Sequence, residues 1–261
     1  MKTVKIGTHT VEIYDAIDEL PMARFHKYQK YLLIDSGIGS TIEDFDRRIE
    51  KARRFCMLND AANAQKELEN MRQCVYMIEN GLSPKHLSFA CLVFAIDGQQ
   101  CVDLSDDALQ KIVATFADAT VQELTDHLDS VKKKIDGELS VYFPKLFVDS
   151  TVKEYFDKIR KRTLLVLKNI VDGVAVPDGT KDVEQVTSEL ITYSNPQRFT
   201  GAENAEIMFD RQYENLCVML SHQLNVNPKQ YTVLEFYNAF EFLKERNKEA
   251  EQAQNKARTR R

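Results

Sequence analysis

The stretch SPKHLSFACLVFAIDGQQCVDLSDDAL, residues 83–109, decides the fold, because it joins the longest apolar run of the chain to its densest group of aspartates. Ser83 can cap a helix with its side-chain oxygen, and Pro84 suits the first helical position, where no amide proton is needed. The residues from Pro84 to Ile96 are apolar nearly all round, which predicts a helix at the centre of a core. Asp97-Gly98 is a tight-turn dipeptide. Gln99 to Leu104 can then form a short extended segment with Cys101 or Val102 facing inward. Ser105 caps the next helix, and Asp106 and Asp107 fall in its first turn, where the helix dipole favours negative charge.

Four aspartates within eleven positions also invite a metal or catalytic reading. A calcium loop of the EF-hand type needs acids or amides at alternate positions, glycine at the sixth and glutamate at the twelfth. Counting from Asp103, the sixth position is Ala108 and the twelfth Ala114; counting from Asp97, the third is Gln99 and the fifth Cys101. Both registers fail, and every aspartate has a structural role, so the stretch reads as punctuation between elements.

Working outward, Val4 and Ile6, then Val11 and Ile13, alternate around Gly-Thr-His-Thr and predict an N-terminal β-hairpin. After Pro21 the rhythm is helical until Gly37 and Gly39. From the candidate cap Thr41, Ile42, Phe45, Ile49, Ala52 and Cys56 recur at spacings of three and four, and Ala64, Leu68, Met71, Val75, Ile78 and Leu82 repeat the rhythm after Asn59. Two such stripes predict an antiparallel helical hairpin. The seam has coiled-coil spacing but too little length for a coiled coil, so core packing is the plainer reading. Further helices are expected near 105–117, 120–136 and 150–171, the last burying Val152, Tyr155, Ile159, Val166 and Ile170. The segment DGVAVPDGTK, residues 172–181, reads as a linker. A short helix at 182–193 and two helices near 202–224 and 232–257 complete the chain. The expected fold is mainly α: a helical bundle with an N-terminal β-hairpin and a C-terminal helical pair ending in an extended arm. The expected division is 1–171, the linker 172–181, and a C-terminal module 182–261.

The chain has 261 residues, 43% of them hydrophobic, and a net charge of −5. That acidity argues against a general nucleic-acid binder, which needs a basic surface. Five cysteines without a C-x-x-C pair suit a reducing compartment. The start, MKTVKIGTHTVEIYD, lacks the apolar run of a signal peptide, and Phe89 to Ile96 is too short to cross a bilayer. A soluble intracellular protein is expected. His9, His26, His86, His127 and His222 fall in separate elements without metal-ligand spacing, and Cys56, Cys74, Cys91 and Cys217 lie in helical patterns as small hydrophobes. No phosphate-binding glycine loop and no nucleophile elbow occurs. No catalytic residue, cofactor or metal is therefore expected, and the chain reads as a non-enzyme.

Basic groups stand at KKK, 132–134, KIRKR, 158–162, and KARTRR, 256–261. The first two lie on amphipathic helices near compensating acids and read as solvated faces. The last ends a polar segment beyond the stripe Val233, Phe236, Phe240 and Leu243. It has helix propensity but little to bury, so alone it should fray.

Four segments carry a resemblance: KTVKIGTHTVEIYDAIDELPMARF, MRQCVYMIENGLSPKHLSFACLV, LSFACLVFAIDGQQCVDLSDDALQKIV and NPKQYTVLEFYNAFEFLKERNKEAE. Together they resemble morphogenesis proteins of tailed bacteriophages, especially tail or baseplate assembly chaperones and small connector-type virion proteins. The resemblance implies no catalytic residue. It implies a protein acting in virion assembly or in the virion through protein–protein contacts, in the host cytoplasm during assembly, with other phage structural or assembly proteins and further copies of itself as partners. The candidate partner-binding residues are Phe236, Tyr237, Phe240 and Leu243, with Arg258, Arg260 and Arg261 of the basic tail. For Phe236 and Phe240 a place in the core of the helical pair is an equal reading. The alternatives are a nucleic-acid-associated accessory protein using KIRKR and KARTRR, and a hydrolase whose pocket the sequence does not show.

Overall fold

A computed structural model describes residues 1–147 and 150–259; the side chains of 121, 150–153 and 253–259 are not among those described. In chain order the elements are β1 (Lys2–Ile6), β2 (His9–Ile13), α1 (Met22–Gly37), α2 (Ile42–Met57), α3 (Ala61–Glu79), α4 (Pro84–Leu92), β3 (Val93–Ile96) and β4 (Gln99–Gln100). They are followed by α5 (Asp106–Thr115), α6 (Val121–Tyr142), α7 (Pro144–Phe147), α8 (Ser150–Val171), α9 (Lys181–Ile191), α10 (Ala205–Leu224) and α11 (Val233–Thr259). The fold is mainly α with an N-terminal hairpin, as the periodicities predict.

The elements group into two compact units that interleave along the chain. Unit 1 comprises Met1–Asp35, Ser83–Phe143 and Glu206–Arg261, and unit 2 comprises Ser36–Leu82 and Pro144–Ala205. The expected consecutive division at 172–181 is not this grouping: that segment lies inside unit 2. There it connects α8 to α9 through a short 3-10 turn at Pro177–Gly179. Asn169 Nδ2 ties the turn down by donating to Pro177 O and Thr180 Oγ1, both at 2.8 Å.

In unit 1 the sheet is antiparallel throughout, in the order β1-β2-β3-β4. Val4, Ile6, Val11 and Ile13 point into the core and their neighbours point away, the period-two pattern of a half-buried strand. Residues 83–96 do not form one helix. The helix stops at Leu92 and Val93–Ile96 becomes β3, pairing with β2 through Val11↔Ile96 and Glu12↔Ala95. An apolar run with valine and phenylalanine suits a buried strand as well as a helix, and the open edge of β2 decides it. Asp97 and Gly98 then take φ of 49° and 82° between the paired residues Ile96 and Gln99, the left-handed geometry of a two-residue hairpin loop. Arg24 of α1, itself buried, stitches the helix-to-strand switch by donating to Cys91 O at 3.1 Å, Val93 O at 2.9 Å and Cys101 O. Helix α6, which packs on α4, contributes Leu124, Leu128, Val131, Ile135 and Leu139, a buried stripe at spacings of three and four.

Unit 2 is built differently. Thr41 and Asp44 form a capping box at the start of α2, and Asp60 caps α3. The hairpin of α2 and α3 buries Ala52 and Ala64 from the expected stripe, but Ile42, Ile49, Cys56, Leu68, Val75 and Ile78 are exposed. In their place Arg48, Phe55, Glu67, Asn70 and Cys74 face inward. The expected buried face of α8 is likewise uncovered. Tyr155 and Ile170 are exposed, Ile159 and Val166 are half-buried, and Val152 lies outside the described side chains. Among the described residues, the main packing on this 22-residue helix comes from α9 and the 3-10 turn before it.

Candidate functional site

Three of the four aspartates of residues 97–107 are engaged in structural bonds. Asp97 accepts from the backbone amide of Thr10 at 2.9 Å and meets His9 Nδ1 at 2.6 Å. These bonds hold its carboxyl below the usual range, and the same carboxylate raises His9. Asp103 accepts from the amide and hydroxyl of Ser105, at 2.8 and 2.9 Å, and Ser105 caps α5 through the amide of Ala108. Asp106 accepts from the Tyr31 hydroxyl and pairs with Lys27 Nζ, both at 2.8 Å. Asp107 is exposed. Among the described residues no three His, Cys, Asp or Glu side chains are placed to hold one metal ion. A cavity of about 400 Å³ beside the turn is lined in part by His9, Asp97, Cys101 and Lys111. Burial pushes the Cys101 thiol up, the opposite of what a nucleophilic thiolate needs.

A second polar cluster in unit 1 has no signature in the sequence. His26 of α1 is stacked between Phe209 and Tyr213 of α10, with ring centroids 4.7 and 4.0 Å away. Its Nε2 meets Asp210 at 2.9 Å, and Lys30 Nζ reaches the same carboxylate at 2.7 Å. Desolvation lowers His26 more strongly than Asp210 raises it. The cluster clamps two helices of one unit together.

The candidate partner-binding residues of the C-terminal helix divide. Phe236 and Leu243 are 1% and 2% exposed, so their apolar surface is used inside unit 1. Tyr237 is half-buried beside Phe143 and Phe236, with centroids 5.5 and 5.7 Å apart, and burial pushes its hydroxyl up to about 12. Phe240 is half-buried. Arg258 falls in α11 with its side chain outside those described, and Arg260 and Arg261 lie outside the described residues. From Lys244 to Gln252 every side chain is exposed, so α11 runs on past the core as an arm.

The basic segments at 132–134 and 158–162 are compensated in part. Lys132 pairs with Asp136 and Lys134 with Asp15, both at 2.7 Å, and in unit 2 Lys158 pairs with Glu189 at 2.6 Å. Arg162 donates to Thr187 Oγ1 at 2.9 Å and faces Asp178 at 3.6 Å.

The least expected surface is in unit 2. Its α8 carries Phe156, Leu164, Leu167, Ile170 and Val171 as an exposed stripe, with Phe156 at 61% and Leu167 at 52% exposure. Its hairpin exposes Ile42 at 67%, with Ile49, Leu68, Val75 and Ile78. Two-thirds of the exposed large apolar side chains described belong to unit 2, against about a fifth of the buried ones. The heptad spacing of 42, 49 and 56, and of 68, 75 and 82, is visible in the sequence; that all of these but the half-buried Leu82 are exposed is not.

Compared with protein-family models, curated proteins and solved structures, the chain matches none.

Proposed function

We propose that this chain works by protein–protein contact rather than by catalysis, through the apolar helical faces of unit 2, and that it serves the assembly or the structure of a tailed-phage virion. The observation carrying the reading is the exposed apolar surface of α2, α3 and α8. Apolar surface left exposed on a folded chain marks interaction sites where it gathers into patches. The phage setting rests on the resemblance of the four quoted segments. A second copy of this chain is the occupant we favour. The hairpin presents apolar positions at seven-residue spacing, and α8 presents Leu164, Leu167 and Val171 at spacings of three and four. Those are the periods at which helices pack against each other at shallow angles. A contact between two different faces is heterologous, and copies joined that way close into a ring or extend into a filament. The basic segments favour the nucleic-acid alternative less, because four of the seven described cations at 132–134 and 158–162 already face acidic partners.

Light scattering on the size-fractionated chain tests this. The wild type should self-associate, and the double substitution Leu164→Glu with Leu167→Glu should leave a monomer with an unchanged helical spectrum. Burying each leucine contributes about 1.5–3 kcal/mol, so the loss should weaken association at least 100-fold. A wild type that stays monomeric at high concentration, or a double variant that associates as well, would sink the reading.

A further inference from the structure

Inside unit 2, α2, α8, α9 and the residues leaving α9 surround a cavity of about 600 Å³. This lies within the range of small-molecule sites. Its apolar walls come from Leu190 and Ile191 and from two tyrosine rings, Tyr155 and Tyr193, whose centroids are 5.9 Å apart. Its charged wall is α2. Glu50 there is committed to Arg53 at 2.9 Å and to Arg54 at 2.6 Å, and Arg54 also meets Glu184 at 2.9 Å. Arg47 is held by Asp44. Lys51 is left over. It lines the cavity half-buried, and among the described residues it has no hydrogen bond and no ion pair. The acid that acts on it, Glu67, is already bonded to Arg48 at 3.0 Å, while Arg47 and Arg48 repel it. Desolvation and those neighbours lower its pKa, as expected for an ammonium held away from water without a counter-ion.

A cation in that position costs free energy until something anionic pairs with it. The walls restrict what that can be. A bare inorganic anion would leave Leu190, Ile191 and the tyrosine rings uncovered, whereas a cationic amphiphile would meet Lys51 and two arginines against a single carboxylate. We infer that this cavity is a binding site for a small organic anion, a carboxylate carried on an apolar or aromatic body, with Lys51 as its counter-charge. The site is separate from the outward stripe of α8, so it stands whether or not that stripe is an interface.

Calorimetric titration of the full chain with octanoate, below its micelle concentration, tests the assignment. Octanoate should bind saturably at one per chain, and octyltrimethylammonium, with the same tail and the opposite charge, at least tenfold more weakly. Lys51→Met should weaken octanoate at least tenfold, which is 1.4 kcal/mol, and Lys51→Arg should keep it within threefold. Absence of saturable octanoate binding, equal binding by Lys51→Met, or equal binding of the cation overturns the site. A measurement on the wild type removes any dependence on how the variants fold. Saturating octanoate should slow acetylation of Lys51 by a water-soluble acetylating ester, read by peptide mass spectrometry, and leave exposed Lys5 unchanged. Acetylation of Lys51 at an unaltered rate overturns the site as well.

Discussion

Glu67→Gln is the substitution with the most to say about unit 2. Arg48 and Glu67 face each other at 3.0 Å with side chains 7% and 1% exposed, so water screens neither charge. Arg48 completes its shell by donating Nε to Ile38 O at 2.6 Å and Nη2 to Ser36 O at 3.0 Å. Glutamine keeps the volume and an acceptor oxygen but leaves the guanidinium without a counter-charge. Coulomb's law at an effective dielectric of 20 gives about 5 kcal/mol for unit charges at this separation, and breaking a buried pair from one side costs about 3–5 kcal/mol. At roughly 4 °C per kcal/mol for a unit of this size, the melting of unit 2 should fall by about 12–20 °C. Because two units need not melt together, hydrogen exchange on peptides of α2 and α3 is the assay, with urea denaturation beside it. Replacing both partners, Arg48→Met with Glu67→Leu, should cost under about 1 kcal/mol or stabilise, because both desolvation penalties disappear. A loss below about 1 kcal/mol for Glu67→Gln, or a double variant as damaged as the single one, would refute the electrostatic account and leave only packing.

Two further outcomes follow from unit 1. Burial depresses His26 below its ordinary value of 6.5 despite Asp210 and Glu214 nearby, with Lys30 acting in the same direction as burial. The folded state thus prefers the neutral ring, and its contribution is complete above about pH 6.5 and lost as the pH falls through the folded value. His86 is lowered by burial too, so the variant isolates the effect: urea midpoints at pH 7.5 and 5.0 should differ less in His26→Gln than in the wild type, and equal differences would defeat the assignment. Ending the chain after Leu243 removes an arm whose side chains are exposed from Lys244 to Gln252, so the stability of unit 1 should change by no more than about 0.5 kcal/mol. Amides beyond Leu243 should exchange rapidly in the free chain, and strong protection there in a monomer would show that the arm docks on its own protein.

Where the signal was local, the sequence carried the fold. Val4, Ile6, Val11 and Ile13 alternate over ten residues, and Thr41, Ser83 and Ser105 cap helices within three residues of themselves, so no distant partner is needed to read them. The switch at Leu92–Val93 was not local. Nothing between Pro84 and Ile96 favours a strand over a helix strongly, and β2, some eighty residues earlier, settles it by offering an unpaired edge. The cavity around Lys51 was illegible for a related reason. One lysine among many becomes distinctive only when Glu50 and Glu67 are seen to be engaged elsewhere, by Arg54 and Arg48.

The sequence shows the stripes of α2 and α3 but not that, beyond Ala52 and Ala64, most of their apolar positions lie outside the core, and the reason bears on function. A hairpin that had to be stable alone would turn Ile42, Ile49, Leu68 and Val75 inward and leave Arg48 and Glu67 to water. This one does the reverse, which costs stability twice: charges are desolvated inside and apolar area is left wet outside. A partner that covers the outer face recovers the second cost in full, while the first fixes the rotation of each helix about its axis and so keeps the apolar positions facing outward. Shifting the ion pair by one residue, to positions 49 and 68, would turn each helix by about 100° and carry the apolar stripe away from the surface. On this argument the buried pair and the exposed stripe are one device. Replacing Arg48 and Glu67 together by apolar residues should therefore leave a hairpin that is as stable as before but less constrained in which face it presents. Self-association of that double variant should weaken although no residue of the outer face has changed, and undiminished association would mean that the ion pair does not set the orientation of the stripe.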